Sequence, residues 1–330
     1  MSIDSIIETG ITSPNSLVSL LFIVIYAVMI LAVMSAFAYL FGWIERKVIA
    51  KSQYRHGPTY LGKYGLLQNM ADLIKLISKE KVTPANAEKL LFSAMPQLLV
   101  AMTIFAILII PFTPNIAVTN IGIGLLALFV LIAFSPIVLF LAGFASGNKF
   151  ADISAQRSVL MLIGYELPVM IVIASIVVAA NSYNLHSIVL QQSKEYFALL
   201  MPLGLFVFFV AMLAELERSP FDLREADSEL IAGWLTDVSP PYYALALFID
   251  YTRMFMGSLL IAVLFFGGWL GPVMPPILWL LAKAFIISLI IIVIRVSVVR
   301  MRIDRILRFG WFWLIPLSLI NLVITYVIVR

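Results

Sequence analysis

The chain has 330 residues, of which 62% are hydrophobic and only 12% charged. Soluble domains sit nearer half apolar and a quarter charged, so a soluble globular protein is excluded and an all-α polytopic membrane protein is expected. The formal net charge is +4 and there is no cysteine, which rules out disulfides, thiolate metal sites, iron–sulfur ligation and cysteine nucleophiles.

The N-terminal stretch "MSIDSIIETGITSPNS" is polar and acidic with no basic residue, so it is not read as a cleavable signal peptide. Runs of roughly 20 apolar residues, the length that crosses the hydrocarbon core, predict eight transmembrane helices. They fall at about 17–44, 93–112, 120–144, 158–180, 196–215, 242–268, 275–299 and 310–329. Glu45, Arg46 and Lys47 close the first span. An interfacial anchor explains Arg46 and Lys47, whose stems can snorkel, but fits the acidic Glu45 less well, and periodicity leaves both readings open.

The first link is long and basic. Its "HGPTYLG" places Gly57, Pro58 and Gly62 at a turn. Beyond it, Leu66, Leu67, Met70, Leu73, Ile74 and Ile77 recur every three or four residues, opposite Gln68, Asp72, Lys75 and Lys79. That pattern predicts an amphipathic helix lying in the interface plane on the cytoplasmic side.

Glu166 sits about a third of the way into the fourth span, where a carboxylate costs on the order of 3 kcal/mol and is expected to face the bundle interior. Lys283 in the seventh span is a candidate on the same ground. Asp250 and Arg253 in the sixth span read either as functional charges or as an ion pair between residues three apart on one helix. Between the fifth and sixth spans lies "AELERSPFDLREADSEL", which carries six carboxylates. If the fifth helix runs through Glu217, Glu215 and Glu217 face different surroundings, and Pro220 then ends it. A solvated acidic loop is one reading. The apolar Phe221, Leu223, Leu230 and Trp234 among the acids favour a partly buried, hydrated acidic pathway instead.

Lys and Arg set the orientation. Eighteen fall on one side, in the links 46–89, 149–157, 218–224 and 295–308, against Lys194 and Arg330 on the other. The positive-inside rule places both termini outside and these links in the cytoplasm. The basic surplus therefore follows topology, and nucleic acid is not an expected partner. The two histidines, His56 and His186, lie in different segments, so no metal site is expected. No internal repeat is visible, which weighs against an inverted-repeat transporter.

Several long motifs in order carry a resemblance. "GWIERKVIAKSQYRHGPTYLGKYGLLQNMADLIKLISKE", "GFASGNKFADISAQRSVLMLIGYE", "AELERSPFDLREADSEL", "ALFIDYTRMFM", "LAKAFIISLIIIVIR" and "RMRIDRILRFGW" together resemble the H-type membrane subunit of bacterial NADH–quinone oxidoreductase. That family is equivalent to subunit 1 of mitochondrial complex I and includes archaeal methanophenazine-linked relatives. The resemblance implies one domain over 1–330, with a basic cytoplasmic link at 46–90 and an acidic one at 214–241. It implies a heel subunit in the cell membrane, joining a redox arm to a proton-pumping arm and carrying no redox centre, metal or covalent cofactor of its own.

The implied substrate is a quinone: ubiquinone, menaquinone or methanophenazine. The implied electron donor is NADH, a reduced deazaflavin or ferredoxin. Expected partners are iron–sulfur and 49-kDa-type subunits, small membrane subunits of the arm, and lipid. Carried over by motif, the proton pathway is Glu45, Asp72, Glu166, Glu215, Glu225, Asp227 and Glu229. The quinone chamber takes Arg46, Phe221, Asp222 and Arg300. Four positions depart from the family pattern: Glu217 for Asn, Arg224 for Pro, Arg253 for a neutral residue and Asp152 for an apolar one. The alternatives are the membrane subunit of an energy-converting hydrogenase and a stand-alone cation transporter. The former is disfavoured by the complete Gly-Leu-Leu-Gln and Tyr-Glu elements, the latter by the long basic amphipathic link.

Overall fold

The structure, a computed structural model, describes residues 17–114, 121–224, 227–272 and 274–329. Among them there is helix and no strand. The helices are α1 (Leu17–Ser52), α2 (Gln68–Ile77), α3 (Lys89–Ile109), α4 (Gly124–Ala145), α5 (Lys149–Ala180), α6 (Leu185–Gln191) and α7 (Phe197–Leu200). They continue with α8 (Pro202–Glu215), α9 (Asp227–Leu230), α10 (Pro240–Phe265), α11 (Pro276–Ser297), α12 (Ile303–Phe309) and α13 (Ile315–Val329). Seven stretches are long and apolar enough to cross a bilayer: five are α3, α4, α5, α10 and α11, and the others are Ala27–Ser52 of α1 and Ile303–Val329.

The expected fifth span, 196–215, is corrected to a broken pair. Pro202 has no N–H to give and keeps Met201 out of the helical region (φ −134°, ψ 66°), so the chain forms α7, turns, and restarts as α8. At 14 residues α8 is roughly 21 Å long, short of the hydrocarbon thickness. It ends at Glu215, the expected limit of the span, and the continuation through Glu217 considered above does not occur. Leu216 is its C-cap, and Glu217 takes a left-handed φ of 50°, so the helix does not continue through Glu217 to Pro220. The first helix departs the other way. Glu45, Arg46 and Lys47 lie inside α1, which runs on to Ser52 because these residues propagate a helix well and no proline interrupts them.

The bundle is organised around α10, against which α1, α2, α3, α8 and α11 all pack. Every residue from Thr252 to Phe265 is buried, which is why this helix is apolar on all sides, not amphipathic. Its C-terminal carbonyls are closed by Lys283 from α11. Its Nζ donates to the carbonyls of Phe266, Gly268 and Leu270 at 2.7, 2.9 and 2.7 Å. A cation there complements the negative end of the helix dipole, so the lysine's position within an apolar run has a structural cause.

The amphipathic helix appears as α2, inverted relative to a soluble helix. Its apolar Leu73, Ile74 and Ile77 are exposed, as is Met70, while Gln68, Asn69 and Asp72 are partly buried. Asn69 Nδ2 donates to the Tyr39 carbonyl at 2.9 Å, and Arg46 on α1 holds Asp72. The preceding loop folds back tightly at two glycines of positive φ, Gly62 and Gly65. A Cβ on Gly65 would meet the Pro58 carbonyl at 2.1 Å, so only glycine fits there.

Candidate functional site

Where α1, α2 and α10 meet they enclose a cavity of about 200 Å³. Its floor is apolar (Ala38, Leu73, Leu76, Phe248) and its rim is polar, with Tyr39, Arg46, Asn69 and Asp72. Arg46 also lines an open cleft of about 680 Å³ beside Arg55, His56 and the 57–60 loop. It therefore stands at the junction of the two spaces, with Nη1 2.6 Å from Asp72 Oδ2. Partial burial pushes the Asp72 carboxyl up, but the Arg46 hydrogen bond and charge, aided by Gln68 and Lys75, outweigh it and hold the group below its usual value. This contact is accordingly kept above the ordinary aspartate range and is lost as pH falls through the lowered value.

Behind this mouth, across Leu247 and Tyr251, lies a second cavity of about 200 Å³. It is polar and is lined by Glu217, Arg218, Asp222, Arg224, Asp250 and Arg295 among others. Glu45, one position before Arg46, points here instead of toward the mouth. Its side chain is 2% exposed and accepts from Arg218 Nη1 at 2.8 Å and 3.1 Å and from Arg295 Nη1. A buried carboxylate flanked by two guanidinium groups is no interfacial anchor, so the choice left open by periodicity is resolved toward the interior.

The network continues inward. Arg224 Nη1 lies 2.6 Å from Glu217 Oε2, and its Nη2 lies 3.2 Å from Asp250 Oδ1. Arg253 Nη2 donates to the Glu215 carbonyl at 2.7 Å and lies 3.6 Å from Glu215 Oε1. Of the two readings left open for Asp250 and Arg253, the mutual ion pair gives way to partners elsewhere. Each pairs with the 215–224 segment, because α10 is buried there and a carboxylate or guanidinium on it reaches the adjoining acidic and basic side chains. Two of the departures from the family pattern, Glu217 and Arg224, are each other's partners. At the inner end, Glu215 and Glu166 line one cavity of about 20 Å³ among Phe129, Ile132, Val169 and Met212. A space of that size accommodates about one water.

The structure thus places Arg46, Asp72 and Asp222 on two cavities that share Leu247 and Tyr251, Glu45 against two arginines beside them, and Glu215 and Glu166 on a third, small cavity. Other residues are placed elsewhere. Phe221 is buried edge-on against Tyr165 at 5.2 Å and lines neither of the two 200 Å³ cavities. Glu229 is on the exposed side, with Oε2 2.6 Å from Arg157 Nη1 and 3.9 Å from Arg300 Nη2. The Arg157 hydrogen bond holds the Glu229 carboxyl below its usual value, so this pair too stays charged across the neutral range. Arg300 therefore stands beside Glu229 and is absent from the mouth lining. Glu225 lies outside the described residues, and Asp227 begins the short α9. Asp152, the fourth departure, sits in the first turn of α5, where a negative charge suits the helix dipole.

Sequence reasoning missed Arg218 and Arg295 as partners, having assigned both to the topology signal. The available clue was Glu45, an acid at a basic membrane face, which required cations from elsewhere in the chain.

Comparison with known proteins gives the same family from several directions. A family model described as NADH dehydrogenase matches residues 24–326. The H-type subunit of NADH-quinone oxidoreductase from Dehalococcoides mccartyi strain CBDB1 is 36% identical over 303 residues, covering 92% of this chain and 86% of its own. Its namesake from Syntrophobacter fumaroxidans, the second of that type, is 36% identical over 305 residues, covering 90% and 92%. The H-type subunit of F(420)H(2) dehydrogenase from Methanosarcina acetivorans is 37% identical over 299 residues, covering 85% and 86%.

Proposed function

We propose, because this chain belongs to the NADH dehydrogenase family, that it is the membrane heel subunit of a complex I-type oxidoreductase. In that role it forms part of a quinone chamber and carries the carboxylate pathway that couples quinone reduction to proton translocation. The observation that carries this reading is the succession of charged sites from the Arg46–Asp72 mouth, through the Glu45 and Glu217 clusters, to the small cavity of Glu166 and Glu215. Quinone reduction takes up protons and changes local charge at one end. Mutually coupled carboxylates convey such a change, since each one's proton affinity depends on its neighbours.

The apolar floor of the mouth suits an isoprenoid or other apolar tail, and Arg46 is placed to hydrogen-bond a carbonyl headgroup. Electrons from the donor reach the site through partner subunits with iron–sulfur centres. NADH, a reduced deazaflavin and ferredoxin are the donors to assay, the first two being those of relatives named for NADH and for F(420)H(2). Arg46→Ala is expected to raise the quinone KM roughly ten- to a hundredfold, the loss of one charge-assisted hydrogen bond, in a complex that still assembles. Asp72 keeps Lys75 at 3.8 Å and partial exposure, so its isolation costs little stability. Quinone titrations on the purified complex check this, and unchanged kinetics would remove Arg46 from the chamber.

The topology belongs to the same proposal: α7, the Met201 break and α8 together make a fifth crossing, giving eight spans, both termini outside and α2 on the cytoplasmic face of the cell membrane. Ser193 and Ser297 are both exposed and flank the fifth, sixth and seventh spans. Cysteines introduced at these two positions are expected to react with an impermeant maleimide from opposite sides of the membrane. Reaction from one and the same side would mean that 197–215 does not cross.

A further inference from the structure

The pairing of Arg253 with Glu215 has an asymmetric geometry. Arg253 is 3% exposed, and its guanidinium is anchored on the Glu215 backbone carbonyl, with the carboxyl oxygen 0.9 Å farther from the same nitrogen (2.7 against 3.6 Å). That carbonyl belongs to the last turn of α8, where helical acceptors lack intrahelical partners, so the anchor persists whether or not the carboxyl carries a proton. Glu215 Oε1 is itself buried and has no hydrogen-bond donor among the described residues. The groups that face Glu215 from each packed element are few. Glu166 comes from α5 across the shared cavity, Arg253 from α10, and Glu217 from the following link, already held by Arg224. The other neighbours of α8, namely α4, α7 and α13, contain no charged residue.

The carboxyl thus has two acidic neighbours, Glu166 and Glu217, and the one cation that faces it is the Arg253 guanidinium.

We propose that Arg253 is a positioning residue that makes the Glu215 proton releasable, so that it can pass through the single-water cavity to Glu166. The cation is held by the backbone, stays beside the carboxyl throughout, and stabilises the ionised form left behind. The inference rests on reading Glu166 and Glu215 as relay stations. Its test is therefore a titration and not an activity. In the purified complex, the infrared carboxylic-acid band that Glu215→Gln removes is followed against pH.

Arg253→Gln, which keeps a donor for the carbonyl but no charge, is expected to move the midpoint of that band upward by roughly 1–3 pH units. The pH at which proton pumping reaches half its maximum should move with it. Arg253→Lys, which keeps the charge, is expected to hold the midpoint near that of the unmodified complex. A midpoint unmoved in Arg253→Gln overturns the proposal. If Arg253→Gln does not assemble, Arg253→Lys decides alone: a midpoint displaced by the 1–3 units predicted for charge removal shows that charge at 253 is not the determinant. Failure of the relay reading itself would appear separately, as normal pumping in Glu215→Gln with the Arg253 effect on the midpoint intact.

Discussion

Glu166→Gln and Glu215→Gln are each expected to assemble and to lose both proton pumping and most coupled electron transfer. The loss should be on the order of a hundredfold, the lower end of what a positioned proton-transfer group contributes. Glutamine preserves shape and hydrogen bonding while removing titration, so it separates relay from packing. Assembly should survive at Glu215 because Arg253 retains its bond to the backbone carbonyl, which the substitution does not touch. At Glu166 it should survive because the side chain lines two cavities, of about 20 Å³ and 240 Å³, and has no ion pair among the described residues. Proton translocation by reconstituted vesicles and electron-transfer rates, measured on the same preparations, give the two readouts. If both variants pump at the rate and stoichiometry of the unmodified protein, the inner carboxylates are structural and the relay is wrong. Loss of pumping with normal electron transfer would mean the two processes are not obligatorily linked through these residues.

Glu45→Ala is expected to fail earlier, at folding or assembly. The side chain is almost fully buried between Arg218 and Arg295, which are 9% and 30% exposed. Removing it leaves two guanidinium groups facing each other without a counter-charge, a loss of about 3–5 kcal/mol for a broken buried pair. That is a large part of the stability of a typical domain. Replacing all three together, Glu45→Leu with Arg218→Met and Arg295→Met, removes the charges as well as the pairing and should restore assembly, though not electron transfer. Native electrophoresis and the thermal midpoint of the detergent-solubilised complex distinguish these cases. A Glu45→Ala complex of unaltered thermal stability would show that the cluster is solvated and does not brace α1 against α11 and the acidic link.

The sequence by itself determined that the chain is helical and membrane-embedded, because lipid demands long apolar runs and their length is countable. It also determined the amphipathic α2, whose apolar residues recur at helical spacing, and the family, whose motifs are local strings. The same procedure could not show the break within the fifth apolar run. Hydropathy from Phe197 to Glu215 is continuous, and a break at Met201–Pro202 changes the backbone without changing the composition.

Only the tertiary structure decided which charge meets which. Glu45 and Arg46 are adjacent in sequence, yet a helix turns about 100° per residue, so one enters the interior cluster and the other the mouth. Asp250 and Arg253 are one turn apart, yet Asp250 found its partner in the link after α8 and Arg253 at the last residue of α8, because burial of α10 left these as the charges within reach. Charge pairing across a bundle depends on distances between helices far apart in the chain. Neither spacing nor hydropathy encodes those distances until the helices have packed.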